Sequence, residues 1–310
     1  GGRVLVPFGS QKRVGIVVDL PASSDVAKEK LKPIIDVLDA ESLFNSTIWD
    51  WLAWSANYYR AALGDVLFQA LPVKLRNGES AVKNDRTFWR ITDLGKQALE
   101  SGELKRAKKQ IEALNLLITQ DLEKGNNEIS SAMWSALKGK DYVEEIIVPT
   151  EQKSWQQALG DNPLVNLDNR LTLNKQQALA FSQLLFQEGF NVWLLEGVTG
   201  SGKTEIYLQY IEEVLKKGKQ VLVLVPEIGL TPQTVRRFQA RFNVEIDVLH
   251  SNLNDTQRLN VWERARTGQS AIVIGTRSAL FTQFSDLGLI ILDEEHDGSF
   301  KQQDGWRYHA

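Results

Sequence analysis

A glycine-rich segment in the second half of the 310-residue chain contains the residue types that bind nucleotide phosphates. It reads Gly197-Val198-Thr199-Gly200-Ser201-Gly202-Lys203-Thr204 and fits the pattern G-x-x-x-x-G-K-[ST]. Glycines let backbone N–H groups turn towards phosphate oxygens, and the start of a following helix favours negative charge. Lys203 would reach the β- and γ-phosphates, and the Thr204 hydroxyl would hold Mg²⁺. The sequence therefore predicts a nucleoside triphosphate site whose ligands are Gly197, Thr199, Gly200, Ser201, Gly202, Lys203 and Thr204.

A pair of carboxylates follows a later apolar run and completes the residues needed for hydrolysis. Residues 287–292 are almost wholly apolar, which predicts a buried strand, and Asp293 and Glu294 come directly after it. Asp293 would face the Mg²⁺ that Thr204 holds, and Glu294 would orient and deprotonate the attacking water. We therefore expect Lys203, Asp293 and Glu294 to be the catalytic residues.

These residues need a scaffold, and the pattern around them predicts one. Five short apolar runs alternate with helical stretches, and they cover residues 192–195, 221–225, 245–249, 271–274 and 289–292. Such alternation favours a parallel sheet with helices on both faces. In this arrangement the carboxyl ends of the strands meet at one edge, so the phosphate segment and Asp293 are expected to lie together.

The amino-acid sequences of several segments resemble those of a known family. Residues 293–296, with the sequence DEEH, resemble motif II of superfamily 2 helicases, and residues 225–233 and 274–279 resemble the segments that touch the backbone of single-stranded DNA. Together with residues 3–9 and 297–309, these segments are similar to the bacterial primosomal replication-restart helicases over nearly the whole chain. The resemblance implies a P-loop RecA-like helicase lobe at 166–310 within a multidomain α/β protein. It also implies ATP and Mg²⁺ as cofactors, and DNA contacts at Pro226, Thr231, Thr276 and Arg277.

Gln177 has two interpretations. It aligns with the helicase glutamine that pairs with the adenine edge, because a carboxamide offers both a donor and an acceptor. Asn174 stands three residues earlier at a predicted helix start, which is also the pattern of a capping box.

The segment after motif II mixes aromatic and basic residues. It resembles the aromatic-rich loop that restart and RecQ-like helicases use to sense single strands and to signal to the ATP site. Rings would stack on bases and cations would take phosphates. The candidate residues are Phe300, Lys301, Trp306, Arg307 and Tyr308. The alternative is a hydrophobic patch that packs against other parts of the protein.

Two smaller domains are expected before the lobe. Residues 1–73 predict a β-hairpin followed by a helix near 47–59, and they resemble a small barrel-like domain that captures the 3′ end of a nascent strand. Aromatic residues between 49 and 59 are interpreted as ordinary core and surface positions, with base stacking as the alternative. Residues 87–148 fit a winged helix, in which the basic run at Lys105, Arg106, Lys108 and Lys109 is either a DNA contact or a solvated face. Residues 74–86 and 149–168 are expected to be linkers.

The resemblance implies an ATP-dependent 3′-to-5′ DNA helicase that recognises stalled forks and restarts replication by primosome assembly. The implied partners are forked and single-stranded DNA, primosome proteins and single-stranded-DNA-binding protein. A second motor lobe with an arginine finger, and cysteine-ligated zinc, are expected only beyond this stretch of sequence, so slow hydrolysis without unwinding is expected here. The alternatives are an ATP-binding fork-recognition scaffold, a RecG-like fork-remodelling helicase and a P-loop phosphotransferase.

Composition sets wider limits. The formal net charge is −3, so DNA binding requires basic residues to be concentrated on one face. The chain contains no cysteine, which excludes disulfides and weakly favours a reducing compartment. No apolar run is long enough to predict a membrane span, so we expect no membrane contact and a cytoplasmic, nucleoid-associated location in bacteria.

Overall fold

The computed structural model describes residues 1–80, 85–101, 104, 107–124, 129–149, 152–185 and 189–310. The chain divides into two compact units. One contains Gly1–Ala81 and Lys153–Ala310, and the other contains Val82–Gln152. The division into three domains made from the sequence stays a prediction. No helix among these residues has the length and apolar character needed to cross a membrane.

The N-terminal part of the first unit combines a small antiparallel sheet with three helices. Its elements are β1 (Arg3–Phe8), β2 (Gln11–Ile16), β3 (Asp36–Val37), α1 (Ser46–Tyr58), α2 (Leu63–Gln69) and α3 (Val73–Arg76). β1 and β2 form the expected hairpin, and Gly9 in its turn has a φ of 59°, which glycine adopts without strain. Buried Arg3 joins the sheet to α3 because it bonds both Asp39 and the carbonyl oxygen of Leu75.

The second unit contains the predicted strand and helix pattern together with elements that the sequence did not indicate. In chain order they are β4 (Asp85–Ile91), α4 (Asp93–Glu100), α5 (Lys108–Thr119), β5 (Leu122–Glu123), α6 (Ser131–Lys138) and β6 (Val143–Pro149). The three strands form an antiparallel sheet in the order β5-β4-β6. Trp89 and Trp134 stack in its core at 5.0 Å between ring centroids. Lys105 and Arg106, half of the predicted basic run, lie outside the described residues.

The remainder of the first unit carries the parallel sheet. Its elements are α7 (Trp155–Leu159), α8 (Lys175–Leu185), α9 (Lys203–Lys216), β7 (Gln220–Leu224), α10 (Pro232–Arg241), β8 (Ile246–Leu249), α11 (Asp255–Arg266), β9 (Ile272–Gly275) and β10 (Leu287–Leu292). The strand order is β10-β7-β9-β8, and all neighbours are parallel. Every residue of β7 is buried, as its continuous apolar sequence predicts. The expected α/β lobe is therefore present.

Asp247 on β8 is a buried acidic group within this lobe. It accepts hydrogen bonds from the Ser270 hydroxyl and from Arg264, and Glu245 adds a like charge nearby. Burial raises the pKa of Asp247 above its ordinary value, although Ser270 and Arg264 oppose the change.

The strand predicted over residues 192–195 is not formed. These residues have no regular secondary structure, and the side chains of Val192 and Leu194 are largely exposed. β10 is hydrogen-bonded to β7 on one side, and its Ile290 is 45% exposed. An apolar run becomes a strand only when another strand supplies its backbone partners, and none of the described strands pairs with this segment.

The linker predicted over residues 149–168 is also wrong in part. Ser154 and Gln157 form a capping box that starts α7, and Trp155 lies buried in the core of the parallel sheet. Polar and turn residues around this anchor suggested a loop, but the capping box and one large aromatic side chain are enough to fix a short helix.

Candidate functional site

The phosphate segment forms a tight loop at the start of α9. Gly200 and Gly202 have φ angles of 81° and 84°, which only glycine adopts readily. A Cβ atom on Gly202 would come within 2.3 Å of the Gln177 amide nitrogen, so the position also needs glycine for space. The Lys203 ammonium donates to the carbonyl oxygen of Gly197 at 2.6 Å. The lysine therefore lies along the inside of the loop, where the pattern predicts it.

Gln177 on α8 contacts this loop directly. Its Oε1 accepts from the Asn174 backbone N–H at 2.9 Å, and the Asn174 side chain accepts from the Gln177 N–H in return. The capping interpretation is therefore present in the structure. The Nε2 of Gln177 also donates to the carbonyl oxygen of Ser201 at 2.8 Å, so Gln177 holds the phosphate loop against α8. The reading of adenine stays a prediction.

Asp293 lies at the carboxyl end of β10, beside the start of α9. Its backbone N–H donates to the carbonyl oxygen of Leu224, which fixes the residue next to β7. Burial raises the pKa of Asp293, and the neighbouring Glu294 charge adds to this effect. The hydroxyl of Tyr207 donates to Asp293 Oδ2 at 3.3 Å, and the Thr204 side chain acts on the same phenol, where it opposes the rise in the pKa of Tyr207. One phenol thus interacts with both side chains predicted to hold Mg²⁺.

Sequence reasoning missed Tyr207, although a signal was available. Thr204 and Tyr207 are three residues apart on a helix, and such residues lie on one face. Burial, followed by the charge of Asp293, raises the pKa of Tyr207 to about 12. The phenol therefore keeps its proton at neutral pH and acts as a hydrogen-bond donor to the carboxylate.

Glu294 has the exposure that a residue acting on water requires. Its side chain is exposed, and its Oε2 lies 3.8 Å from His296 Nε2. Its φ is 51°, in the left-handed region that residues with a side chain seldom occupy, and such backbone conformations concentrate at functional sites. Asp293 and Glu294 are neighbours in sequence, but only the first is held by hydrogen bonds from α9 and β7.

The residues present fit a magnesium nucleotide. The observation that tests the fit is the half-buried Asp293 carboxylate, a hard oxygen ligand that Tyr207 of α9 holds by a hydrogen bond three residues after Thr204. Bound Mg²⁺ would supply charge neutralisation at the phosphates. Thr204 and Asp293 would hold the ion. Lys203 would add a second positive charge at the phosphates. Among the described residues no cluster of three or more His, Cys, Asp or Glu forms a closed metal site.

A buried ion pair supports the loop from behind. Glu205, the residue after Thr204, accepts from Arg241 Nη2 at 3.0 Å and from Gln209 at 2.8 Å. Arg241 also donates to the carbonyl oxygen of Asn169 at 2.7 Å. This arrangement ties the first turn of α9 to the last turn of α10 and to the segment that leads into α8.

The residues predicted to touch DNA backbone occupy the ends of two strands. Pro226 is buried, and the Thr231 hydroxyl accepts from the Thr234 N–H as the N-cap of α10. Thr276 follows β9. Arg277 donates from its Nη1 to the carbonyl oxygens of Ser299 and Lys301, at 2.9 and 2.6 Å. Within the described residues, Arg277 therefore anchors the loop after motif II, and its DNA contact stays a prediction.

The rings of that loop are buried. Phe300 lies within the core of the sheet, and Trp306 and Tyr308 pack with Phe281 against α1. The Trp306 and Tyr308 centroids are 4.8 Å apart, and Tyr308 lies 4.9 Å from Phe281. Base stacking requires exposed ring faces, and the faces of these three rings are covered by the protein. Lys301 and Arg307 are exposed. The packing alternative describes the observed arrangement, and the stacking role stays a prediction that requires the loop to move.

Comparison with known proteins agrees with this geometry. Residues 174–310 match the model of the DEAD/DEAH box helicase family, and residues 1–72 match a 3′ DNA-binding domain. The lobe and its loop are thus those of a DEAD/DEAH box helicase domain.

The whole chain is 77% identical to the replication restart protein PriA of Haemophilus influenzae, of which it covers 42%. It is 34% identical to PriA of Synechocystis and 30% identical to PriA of Bacillus subtilis, covering 46% and 47% of them. The chain is similar to the PriA replication restart proteins over its whole length, and it spans less than half the length of these relatives.

Proposed function

We propose that this chain binds ATP and DNA as part of an ATP-dependent 3′-to-5′ DNA helicase that recognises stalled replication forks and restarts replication. The observation that supports the proposal best is the hydrogen bond from Tyr207 to Asp293 beside the phosphate loop, on the same helix that begins with Lys203 and Thr204. This arrangement gives a bound nucleotide both a cradle and a place for Mg²⁺, which a phosphate-binding turn without hydrolysis does not need.

The catalytic roles follow from positions. Lys203 binds the β- and γ-phosphates, Asp293 holds Mg²⁺ with Thr204, and Glu294 orients and deprotonates the attacking water. The exposed side chain of Glu294 next to the constrained Asp293 supports this division of labour. Pro226, Thr231, Thr276 and Arg277 contribute DNA contacts at the ends of β7 and β9.

The remaining parts of the proposal rest on the relatives. They are named replication restart proteins, and the N-terminal match is described as a 3′ DNA-binding domain. We propose that residues 1–73 form a small barrel-like domain that takes the 3′ end of a strand, and that residues 87–148 form a winged helix. Forked DNA, primosome proteins and single-stranded-DNA-binding protein are the proposed partners, and the bacterial cytoplasm is the proposed location.

ATP hydrolysis tests the proposal. It would be measured for this chain, and for the chain extended by the C-terminal part found in its relatives, with no DNA, with single-stranded DNA and with forked DNA. We expect strong stimulation by DNA in the extended protein, its loss in Lys203→Ala, and slow hydrolysis by the chain alone. Hydrolysis that ignores DNA would refute the helicase assignment and favour a phosphotransferase.

A fork-recognition scaffold is the second candidate. The apolar segment at 192–195 has no strand partner among the described residues, so the phosphate loop is held mainly through α8 and α9. A loop held in this way suits binding better than turnover. Glu294→Gln separates the two candidates, because a scaffold keeps fork binding and restart with this substitution, whereas a motor keeps binding alone.

A further inference from the structure

A cavity of about 560 Å³ lies between the N-terminal helices and the loop after motif II. The turn after α1, the middle and end of α2, and the last residue of α3 form one side. Gly305, Trp306 and Arg307 form the other side. Pockets for small molecules or single nucleotides have volumes of about 300–1,000 Å³, so this space exceeds what one inorganic ion requires.

The charge of the cavity lining is positive. Arg60, Arg76 and Arg307 line it, and Asp65 is the one acidic residue among the lining positions, so three positive charges and one negative charge leave a net charge of +2. The chain as a whole carries −3. This cavity therefore provides the local concentration of basic groups that an acidic protein needs in order to bind an anion.

Arg76 is the half-buried member of the three, whereas Arg60 and Arg307 are exposed. Its Nε donates to the carbonyl oxygen of Leu71 at 2.7 Å and its Nη2 to that of Gln69 at 3.1 Å. Both acceptors are neutral, and within the described chain only Asp255 acts on it as an opposite charge, through space. Burial accordingly lowers its pKa. A desolvated guanidinium without a bound carboxylate is a site where an anion would be stabilised.

The two exposed arginines and the aromatic residues complete the lining. Arg60 lies in the turn between α1 and α2. Its φ is 53°, an uncommon backbone conformation for a residue with a side chain. Tyr59 and Trp306 lie at the same cavity, and their centroids are 6.4 Å apart. The buried Nε1 of Trp306 has no hydrogen-bond partner among the described residues.

We propose that this cavity binds the phosphodiester backbone of a single nucleic-acid strand through Arg60, Arg76 and Arg307. Arginine is suited to this task because its fork of donors matches phosphate oxygens. Aromatic walls beside the arginines fit a sugar and base better than an acidic peptide. The inference rests on the proposed function and extends it, because it places strand contacts on the N-terminal helices as well as on the helicase lobe.

Fluorescence anisotropy with a labelled 20-nucleotide oligo-dT tests the proposal over a range of salt concentrations. The variant is Arg60→Gln with Arg307→Gln, which removes both exposed charges and leaves Arg76 in place. We expect affinity to fall on the order of tenfold at low salt, and the slope of log K against log salt to decrease by about 1.4 for two lost phosphate contacts on a single strand. The charge-preserving variant, Arg60→Lys with Arg307→Lys, is expected to keep most of the affinity and most of the salt slope.

Lys217→Gln with Lys219→Gln is the control. It removes two positive charges just after the C-terminal end of α9, and neither lysine lines the cavity. Unchanged affinity and salt slope in Arg60→Gln with Arg307→Gln would overturn the proposal. An equal loss of affinity in the lysine control would also overturn it, because affinity would then follow net charge alone. A dTMP titration with the same arginine dependence, but no effect on the oligonucleotide, would overturn the assignment to a strand. Absence of oligonucleotide binding by the unsubstituted chain would instead count against the proposed function itself.

Discussion

Substitution of Arg241 by methionine tests whether the phosphate loop depends on the buried ion pair behind it. The Arg241 and Glu205 side chains are 1% and 10% exposed, and the two charged atoms are 3.0 Å apart. At an effective dielectric constant of about 20, their attraction is about 332/(20 × 3.0), or roughly 5.5 kcal/mol, before desolvation is subtracted. Removing one partner of such a pair leaves the other charge buried, which costs about 3–5 kcal/mol.

Hydrogen exchange measured by mass spectrometry is the suitable assay, because the chain has two compact units and a single unfolding curve would mix them. Peptides that cover α9 and α10 report the opening free energy around the pair. Peptides from residues 107–124 lie in the other unit and serve as an internal reference. We expect Arg241→Met to lower the opening free energy of α9 by about 3 kcal/mol or more, and to leave the reference unchanged.

Two further variants separate charge from packing. Glu205→Leu combined with Arg241→Met replaces the pair by apolar groups and is expected to recover most of the loss, because no charge is then left unpaired. Arg236→Met on the exposed side of α10 is the matched control and should change little. A loss below about 1 kcal/mol in Arg241→Met, or no recovery in the double variant, would refute the reasoning.

Three other substitutions give distinct readouts. Tyr207→Phe removes the donor to Asp293, so isothermal titration should show Mg·ATP binding weakened about threefold to tenfold, with Mg-free ATP and the Tyr210→Phe control unaffected. Trp306→Ala should lower the exchange protection of α1 by about 3–5 kcal/mol, because the ring is buried against that helix; normal protection would contradict the packing. Burial holds the folded pKa of Asp247 above its unfolded value, so this group contributes stability that is lost as pH rises above about 4 towards the raised pKa. Asp247→Asn should remove this pH dependence from the opening free energy of β8, measured by hydrogen exchange and corrected for the intrinsic exchange rate.

The geometry of the phosphate loop could be predicted from the sequence because that geometry is local. The phosphate loop is eight consecutive residues, and two of its three glycines, Gly200 and Gly202, have the positive φ angles that glycine adopts readily. The four paired strands of the parallel sheet were also predictable from their apolar runs. All residues of β7 and β9 are buried, as expected for strands covered on both faces, whereas β10 is partly exposed. Gln177 was assigned two alternatives, and the capping box is the one present in the structure.

Features that depend on distant neighbours could not be predicted in the same way. The apolar run at 192–195 predicts a strand only if a neighbouring strand supplies hydrogen bonds, and the run itself carries no information about that neighbour. Tyr207 became part of the site because α9 brings it to Asp293, 86 residues later in the sequence. Trp155 lay within a stretch of turn-forming residues, and its burial depends on the sheet that it packs against.

The aromatic loop shows how energies decide between two interpretations of one segment. Stacking a base on an exposed ring contributes about 1–3 kcal/mol, whereas truncation of a buried Phe or Trp costs about 3–5 kcal/mol. Phe300 and Trp306 would therefore lose more by leaving their cores than one base returns to each of them. Lys301 and Arg307 extend from the same loop into solvent, so they would meet phosphate without that loss. We therefore expect that contact with a strand by this loop in its packed form would be electrostatic. Ring stacking would require a rearrangement whose free-energy cost DNA binding would have to supply.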